Sequence, residues 1–256
     1  MLSLPTLFLL IAAPCFGSFL ANLAVRLPQG RSVLVGRSAC PHCQAALTPI
    51  DLVPILSWVW LGGRCRVCGG RISVYYPAVE LAALGIAVWA LFAVDGDALL
   101  TIISFALGCW LLPLAIIDAR SFWLPDSLTL TLIPAGLLAC WLLDPDSLPA
   151  HIIGAAAGFV LFFAVSWAYR RFRGREGLGG GDAKLLAGLG AWDGWTGLPD
   201  IILLAALGGL LFAAAQALVA RRLPDAAQRL AFGPFLCLAG WLVWLYAGLN
   251  SLAGWS

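Results

Sequence analysis

Two aspartates and four cysteines stand out by type and spacing. The run Gly177-Leu178-Gly179-Gly180-Gly181-Asp182-Ala183-Lys184 sets a carboxylate among glycines at the start of an apolar helix. Asp118 closes an earlier apolar stretch, Ala115-Ile116-Ile117-Asp118. Ionisable groups at bilayer depth are costly, so each is a functional hypothesis by default. Two carboxyl groups that meet share one proton, because close like charges leave one neutral while the other is ionised. The ionised member takes a proton from water as that water attacks a peptide carbonyl, and the neutral member donates to the carbonyl oxygen. The pair therefore points to acid protease chemistry at a membrane surface.

Asp182 has the stronger setting. Glycines before it permit close approach of a substrate strand, with Gly179 and Gly181 the candidates for support. The helix that follows offers free N–H groups to an anion. Helix capping is the plain alternative, but capping does not call for so many glycines. Asp118 and Asp126 compete for the other half. Asp126 follows Pro125 and has a capping explanation, whereas Asp118 ends an unbroken apolar span. Chemistry alone prefers Asp118 without excluding Asp126. Glu176 and Lys184 flank the glycine run and either position substrate or pair with interfacial charges. Glu80 either lines a polar pocket near the cysteines or pairs with an arginine.

The cysteines form two Cys-x2-Cys pairs, Cys40-Pro41-His42-Cys43 and Cys65-Arg66-Val67-Cys68. Paired knuckles bring four thiolates to one tetrahedral zinc, and the spacing is close to that of zinc ribbons. The loop is too small to build much core, so a structural Zn2+ would supply folding energy. Disulfides are the alternative, and a reducing cytoplasm disfavours them. Cys15, Cys109, Cys140 and Cys237 lie singly in apolar stretches and read as small packing residues. His42 reads as solvated.

The elements that must hold these groups are membrane helices. Of 256 residues, 62% are hydrophobic and 11% charged, with mean hydropathy +0.95. Average soluble domains are about half apolar and about one quarter charged. This is more apolar surface than a soluble core can hide, and nothing indicates nucleic-acid binding. The expected fold is all-α: a polytopic transmembrane bundle of about eight spans with a small zinc-binding cytoplasmic loop. The eight apolar segments are 4–25, 77–94, 99–117, 127–143, 151–169, 183–197, 201–220 and 232–249. The first lacks a basic flank and continues past signal-peptide length, so it reads as a retained span.

Loop charge alternates. Arginines gather in 26–76, 118–126, 170–176 and 221–229. The loops with Asp95 and Asp97, with Asp144 and Asp146, and with Asp193 and Asp200 are acidic only. The positive-inside rule puts the arginine side, with Asp118 and Asp182, in the cytoplasm. The expected divisions are a first span at 1–26, a cysteine-bearing cytoplasmic loop at 27–76, and a transmembrane peptidase domain at 77–256.

In order, these residues resemble the bacterial type IV prepilin peptidase family, prepilin leader peptidase/N-methyltransferase, nearly end to end. The resemblance is carried by Gly17-Ser18-Phe19-Leu20 with Arg26-Leu27-Pro28, by the Cys pairs, and by Val53-Pro54-Ile55-Leu56-Ser57. It continues through Tyr76-Pro77-Ala78-Val79-Glu80, Ile117-Asp118 with Leu124-Pro125-Asp126, Glu176 to Leu186, and Phe232-Gly233-Pro234-Phe235. It implies that Asp118 and Asp182 are the catalytic pair, favouring Asp118 over Asp126. It also implies removal, after a glycine, of the leader of type IV pilus prepilins or type II secretion pseudopilins. N-methylation from S-adenosylmethionine would follow, with 27–76 as the associated region. Three positions depart from the family pattern near that region: Ala21 intervenes before Asn22, Tyr75 stands where Arg is usual, and Leu52 stands where Asn is common. A peptidase without methyl transfer, an ion-coupled transporter and a non-enzymatic assembly factor are the alternatives.

Overall fold

The structure is a computed structural model that describes residues 3–32, 38–173, 179–220 and 230–248. Among the described residues, eight α-helices follow one another: α1 Leu4–Arg26, α2 Leu56–Trp60, α3 Tyr75–Ala93, α4 Ala98–Ser121, α5 Asp126–Leu143, α6 Leu148–Arg173, α7 Gly180–Ala220 and α8 Gly233–Val243. Long apolar runs take this form because a helix satisfies its own backbone where no water can. Among the described residues, β-pairing is confined to two isolated bridges, Ala39 with Ala46 and Arg64 with Arg71.

Among the described residues, six helices are long and apolar enough to cross a membrane: α1, α3, α4, α5, α6 and α7. The chain is thus a polytopic helical membrane protein. The sequence offered eight segments, and the difference lies in the last three. Segments 183–197 and 201–220 both fall within α7, which runs for 41 residues and breaks at Gly194, where φ is 68° and ψ 177°. A straight helix of that length would reach roughly 60 Å, about twice the hydrocarbon thickness. The break lets one helical run hold two segments. Segment 232–249 forms the shorter α8 and a π-helical turn, Trp244–Gly248. Asp193 and Asp200, expected in an acidic loop, lie inside α7, and Asp193 is buried with neither carboxylate oxygen hydrogen-bonded among the described residues.

The chain divides into two compact units, Met1–Pro113 and Leu114–Ser256. In the first, α1 and α3 meet along small side chains. Ala13, Ala21, Ala83, Ala87 and Ala90 have no exposed surface. A Cβ on Gly17 would lie 2.6 Å from the Glu80 Cα, so only glycine allows this approach. Small residues let membrane helices gain van der Waals contact where no hydrophobic driving force exists between them. The Tyr75 hydroxyl donates to the Ala21 carbonyl at 3.1 Å and fixes the start of α3 against α1.

In the second unit, α7 packs on α5, α6 and α8. Gly154 and Gly190 bring α6 and α7 so close that a Cβ on either would strike the other's backbone. The Trp192 Nε1–H donates to the Leu132 carbonyl at 3.1 Å and ties α7 to α5. His151 Nδ1 lies 3.0 Å from the Ala191 carbonyl and links α6 to the residues just before the Gly194 break.

Candidate active site

Asp118 sits near the C-terminal end of α4 and is buried. Its Oδ2 accepts the Gly233 backbone N–H at 2.9 Å, a bond spanning 115 positions. Gly233 opens α8, where first-turn N–H groups lack intrahelical partners. The approach depends on glycine: a Cβ there would lie 2.7 Å from that same oxygen. One free N–H of α8 thus orients the carboxylate.

Asp182 lies in the first turn of α7, also buried. Its Oδ2 accepts the Gly179 N–H at 3.2 Å, the reach-back of an N3 acid onto the residue before its helix. Capping is therefore real, and it is what orients this side chain. Gly181 lets the turn press on Leu124, whose Cβ a side chain there would meet at 2.8 Å. Asp118 and Asp182 are near enough for their charges to interact. Cys237 of α8, read from sequence as a packing residue, is buried within electrostatic reach of both.

Asp126 has a different position. It is the first residue of α5, and its Oδ1 accepts from Lys184 Nζ at 2.6 Å. This partly exposed pair joins the first residue of α5 to the fifth of α7. The capping expected of Asp126 is not its recorded bond, and Lys184 is drawn to it. Glu176 lies outside the described residues.

In the first unit, Glu80 is buried in α3 and, among the described residues, pairs with backbone and not with an arginine. Its Oε2 accepts the Ile55 N–H at 2.7 Å, and the Ser18 side chain also bonds it.

The two cysteine turns share one geometry. Cys40 N–H donates to the Ala45 carbonyl at 3.0 Å and Cys65 N–H to the Gly70 carbonyl at 2.8 Å. The fifth residue of each turn, Gln44 and Gly69, donates back to its first cysteine at 2.9 Å in both cases, and both take positive φ, 57° and 69°. The ligand atoms of Cys40, Cys43, Cys65 and Cys68 lie within 4.8 Å of one another, with Cys40 Sγ 3.8 Å from Cys68 Sγ. Tetrahedral bonds of about 2.3 Å from zinc to sulfur place neighbouring sulfurs about 3.8 Å apart. The donor set thus fits a metal ion.

Backbone amides and neighbouring thiols act unequally on the four. The backbone N–H groups of Cys43 and His42 lower the Cys40 thiol to about 6. At Cys68 the Gly70 N–H also favours the thiolate. Cys43, desolvation, Cys65 and Cys40 outweigh it and raise that thiol to about 11. His42 stands outside the four, exposed, with Nε2 3.2 Å from the Arg71 carbonyl. Asp51 braces the loop. The Thr48 hydroxyl and amide, and secondarily Arg66 at 2.8 Å, hold its carboxyl below the usual range.

A polytopic helical membrane protein with converging buried aspartates and a four-thiol loop is the class that fold and site define. Residues 11–94 match the Bacterial Peptidase A24 N-terminal domain and residues 105–214 the Type IV leader peptidase family. The chain is 40% identical over 226 residues to the prepilin leader peptidase/N-methyltransferase of Aeromonas hydrophila, covering 88% of this chain and 76% of that one. It is 45% identical over 218 residues to the protein of that name from Burkholderia pseudomallei, covering 84% and 68%. A third, from Dichelobacter nodosus, is 38% identical over 237 residues, covering 91% and 80%. No solved structure matches. The chain belongs to the type IV leader peptidase family.

Proposed function

We propose that this protein is an aspartic endopeptidase of the bacterial cytoplasmic membrane. Its substrates are prepilins or pseudopilins, cut after the glycine that ends the leader, on the cytoplasmic side. Asp118 and Asp182 carry the reaction. The observation that supports this most is their convergence: each is buried, each is oriented by one backbone N–H at a helix start, and their charges interact.

One carboxylate takes a proton from the attacking water. The other, protonated, donates to the peptide carbonyl oxygen; the first then passes the water's proton to the pilin nitrogen as the C–N bond breaks, the second takes its own proton back as the leader's carboxyl group forms, and the leader leaves. The Gly179 and Gly233 amides keep the two carboxyl groups aimed without satisfying both oxygens of each. Gly181 keeps the α7 turn seated on Leu124. Lys184 and Asp126 hold the two helix starts in register. Glu80 and Glu176 have supporting roles, Glu80 in the first unit through its hold on Ile55.

The proposal includes a structural Zn2+ at Cys40, Cys43, Cys65 and Cys68, which supplies cohesion to residues 27–76. It also includes methyl transfer from S-adenosylmethionine to the new N-terminal amine, the second activity in the relatives' name. That activity is placed in the unit bearing residues 27–76, and peptide cleavage in the span region from 77 onward.

The test is reconstitution of the purified chain in lipid vesicles with a prepilin. The expected product is a pilin shortened after glycine and heavier by one methyl group when S-adenosylmethionine is supplied. Full cleavage by an Asp182→Asn variant would remove the mechanism. Cleavage without the methyl increment would leave a peptidase alone.

A further inference from the structure

α2 is five residues long, yet it displays large uncovered side chains. Leu56, Val59 and Trp60 are 67%, 63% and 89% exposed. At spacings of three and four they share one helix face. The same helix turns Trp58 inward: its ring packs on Gly63 and its Nε1–H donates to the Ile72 carbonyl at 3.2 Å. α2 therefore has an inner side docked on the second cysteine turn and an outer apolar side. The patch extends onto the preceding turn, where Ile50, Leu52 and Val53 are also exposed. A contiguous apolar patch of this kind marks a surface that meets lipid or a partner.

The depth of α2 indicates which. Ile55, the residue before α2, is bound through its N–H to Glu80. Glu80 lies five residues beyond the start of α3, roughly 7 Å along a helix axis. α3 is one of the candidate spans, and Tyr75 and Tyr76 at its start are of the type that sits at headgroup level. A side chain one turn inside a span thus holds the start of α2 at the depth where interfacial helices lie, about 5–10 Å into the headgroup–acyl boundary. Ile55 adopts φ 62° and ψ −55°. A β-branched residue rarely takes such a conformation, which persists only where its surroundings hold it. Arg64 and Arg71 oppose each other across a β-bridge and are exposed. They are joined to α2 through the bonds of Gly63 N–H to the Trp58 carbonyl at 2.8 Å and of Ile72 N–H to the Gly63 carbonyl at 2.8 Å.

We propose that α2 is an interfacial anchor that lies in the bilayer surface, its Leu56, Val59 and Trp60 face among acyl chains and Arg64 and Arg71 at the phosphates of anionic phospholipids. An apolar face with a cationic rim is the pattern of helices that lie in a membrane surface. The bond that ties Ile55 to Glu80, inside a candidate span, identifies the occupant as lipid. The anchor holds the four-thiol cluster against the membrane and does not depend on which reaction the protein catalyses.

The test uses the full chain in nanodiscs containing phosphatidylglycerol. The difference in fluorescence between wild type and Trp60→Phe isolates Trp60 from the other tryptophans. The expected result, with no prepilin present, is quenching of that signal by lipids brominated high in the acyl chain and shielding from aqueous acrylamide. A Leu56→Trp substitution in the Trp60→Phe background should restore a bromolipid-quenched signal. A Trp60 signal that acrylamide quenches and brominated lipid leaves unchanged overturns the proposal. Shielding that arises only when a prepilin is added also overturns it, and assigns the face to substrate.

Discussion

In Met1–Pro113 the four thiols come from two turns of the same form, each closed by bonds within six residues of chain. In Leu114–Ser256 the two carboxylates come from α4 and α7, and the amide that orients Asp118 arrives from α8, 115 positions away. The thiol cluster is local chemistry repeated, whereas the acid pair exists only when helices distant in sequence pack together. Each unit's site should therefore fail in its own way.

The largest effect is expected in the second unit. Asp118→Asn or Asp182→Asn should lower prepilin cleavage by about 10²–10⁴-fold or more, the range of general acid–base catalysis. Methylation of a pilin supplied without its leader should continue, read by mass spectrometry. Loss of both activities in either variant would break the separation of the two units.

Gly233→Ala comes next. Its new Cβ would sit against Asp118 Oδ2, and a misplacement near 1 Å can cost about 10²-fold in rate. The drop should appear in kcat with KM and thermal stability nearly unchanged. A wild-type kcat would mean that the Gly233 contact does not govern the carboxylate.

The converse experiment concerns the first unit. Cys65→Ser, or prolonged chelation, should strip the bound metal, read by elemental analysis, and raise hydrogen exchange in residues 38–74. Cleavage that depends on Asp118 and Asp182 should persist. Retention of a full metal complement by Cys65→Ser would remove the zinc site.

The smallest effect is expected at the link between α5 and α7. Lys184→Met breaks a partly exposed ion pair with Asp126, and such pairs contribute about 0–1 kcal/mol. Thermal stability should fall by a small, salt-sensitive amount, and cleavage should fall far less than in the aspartate variants. A loss as deep as theirs would move Lys184 into the reacting set.

The same contrast explains what could be read in advance. The cysteine turns were legible because their ligands repeat at short spacing and local bonds shape them. Asp182 was legible because its glycines are adjacent to it. Asp118 could be separated from Asp126 only by resemblance, since both follow apolar stretches and the distinguishing contacts, Gly233 for one and Lys184 for the other, are long-range. Segments 183–197 and 201–220 read as two because Pro199 and Asp200 fall between them, whereas the backbone departs at Gly194. Charge alternation assigns Asp193 to an acidic loop, and only packing shows that it is buried in α7. The Glu80 bond to Ile55 joins a span to a loop, and no periodicity announces it.

The most direct test of the converging acids is a double-mutant cycle on prepilin cleavage in lipid vesicles, comparing Asp118→Asn, Asp182→Asn and the double variant. Groups that act as one unit are strongly non-additive. The double variant is expected to be no slower than the worse single one. A double loss equal to the product of the single losses, or near-normal cleavage by either single variant, would contradict a shared reaction centre.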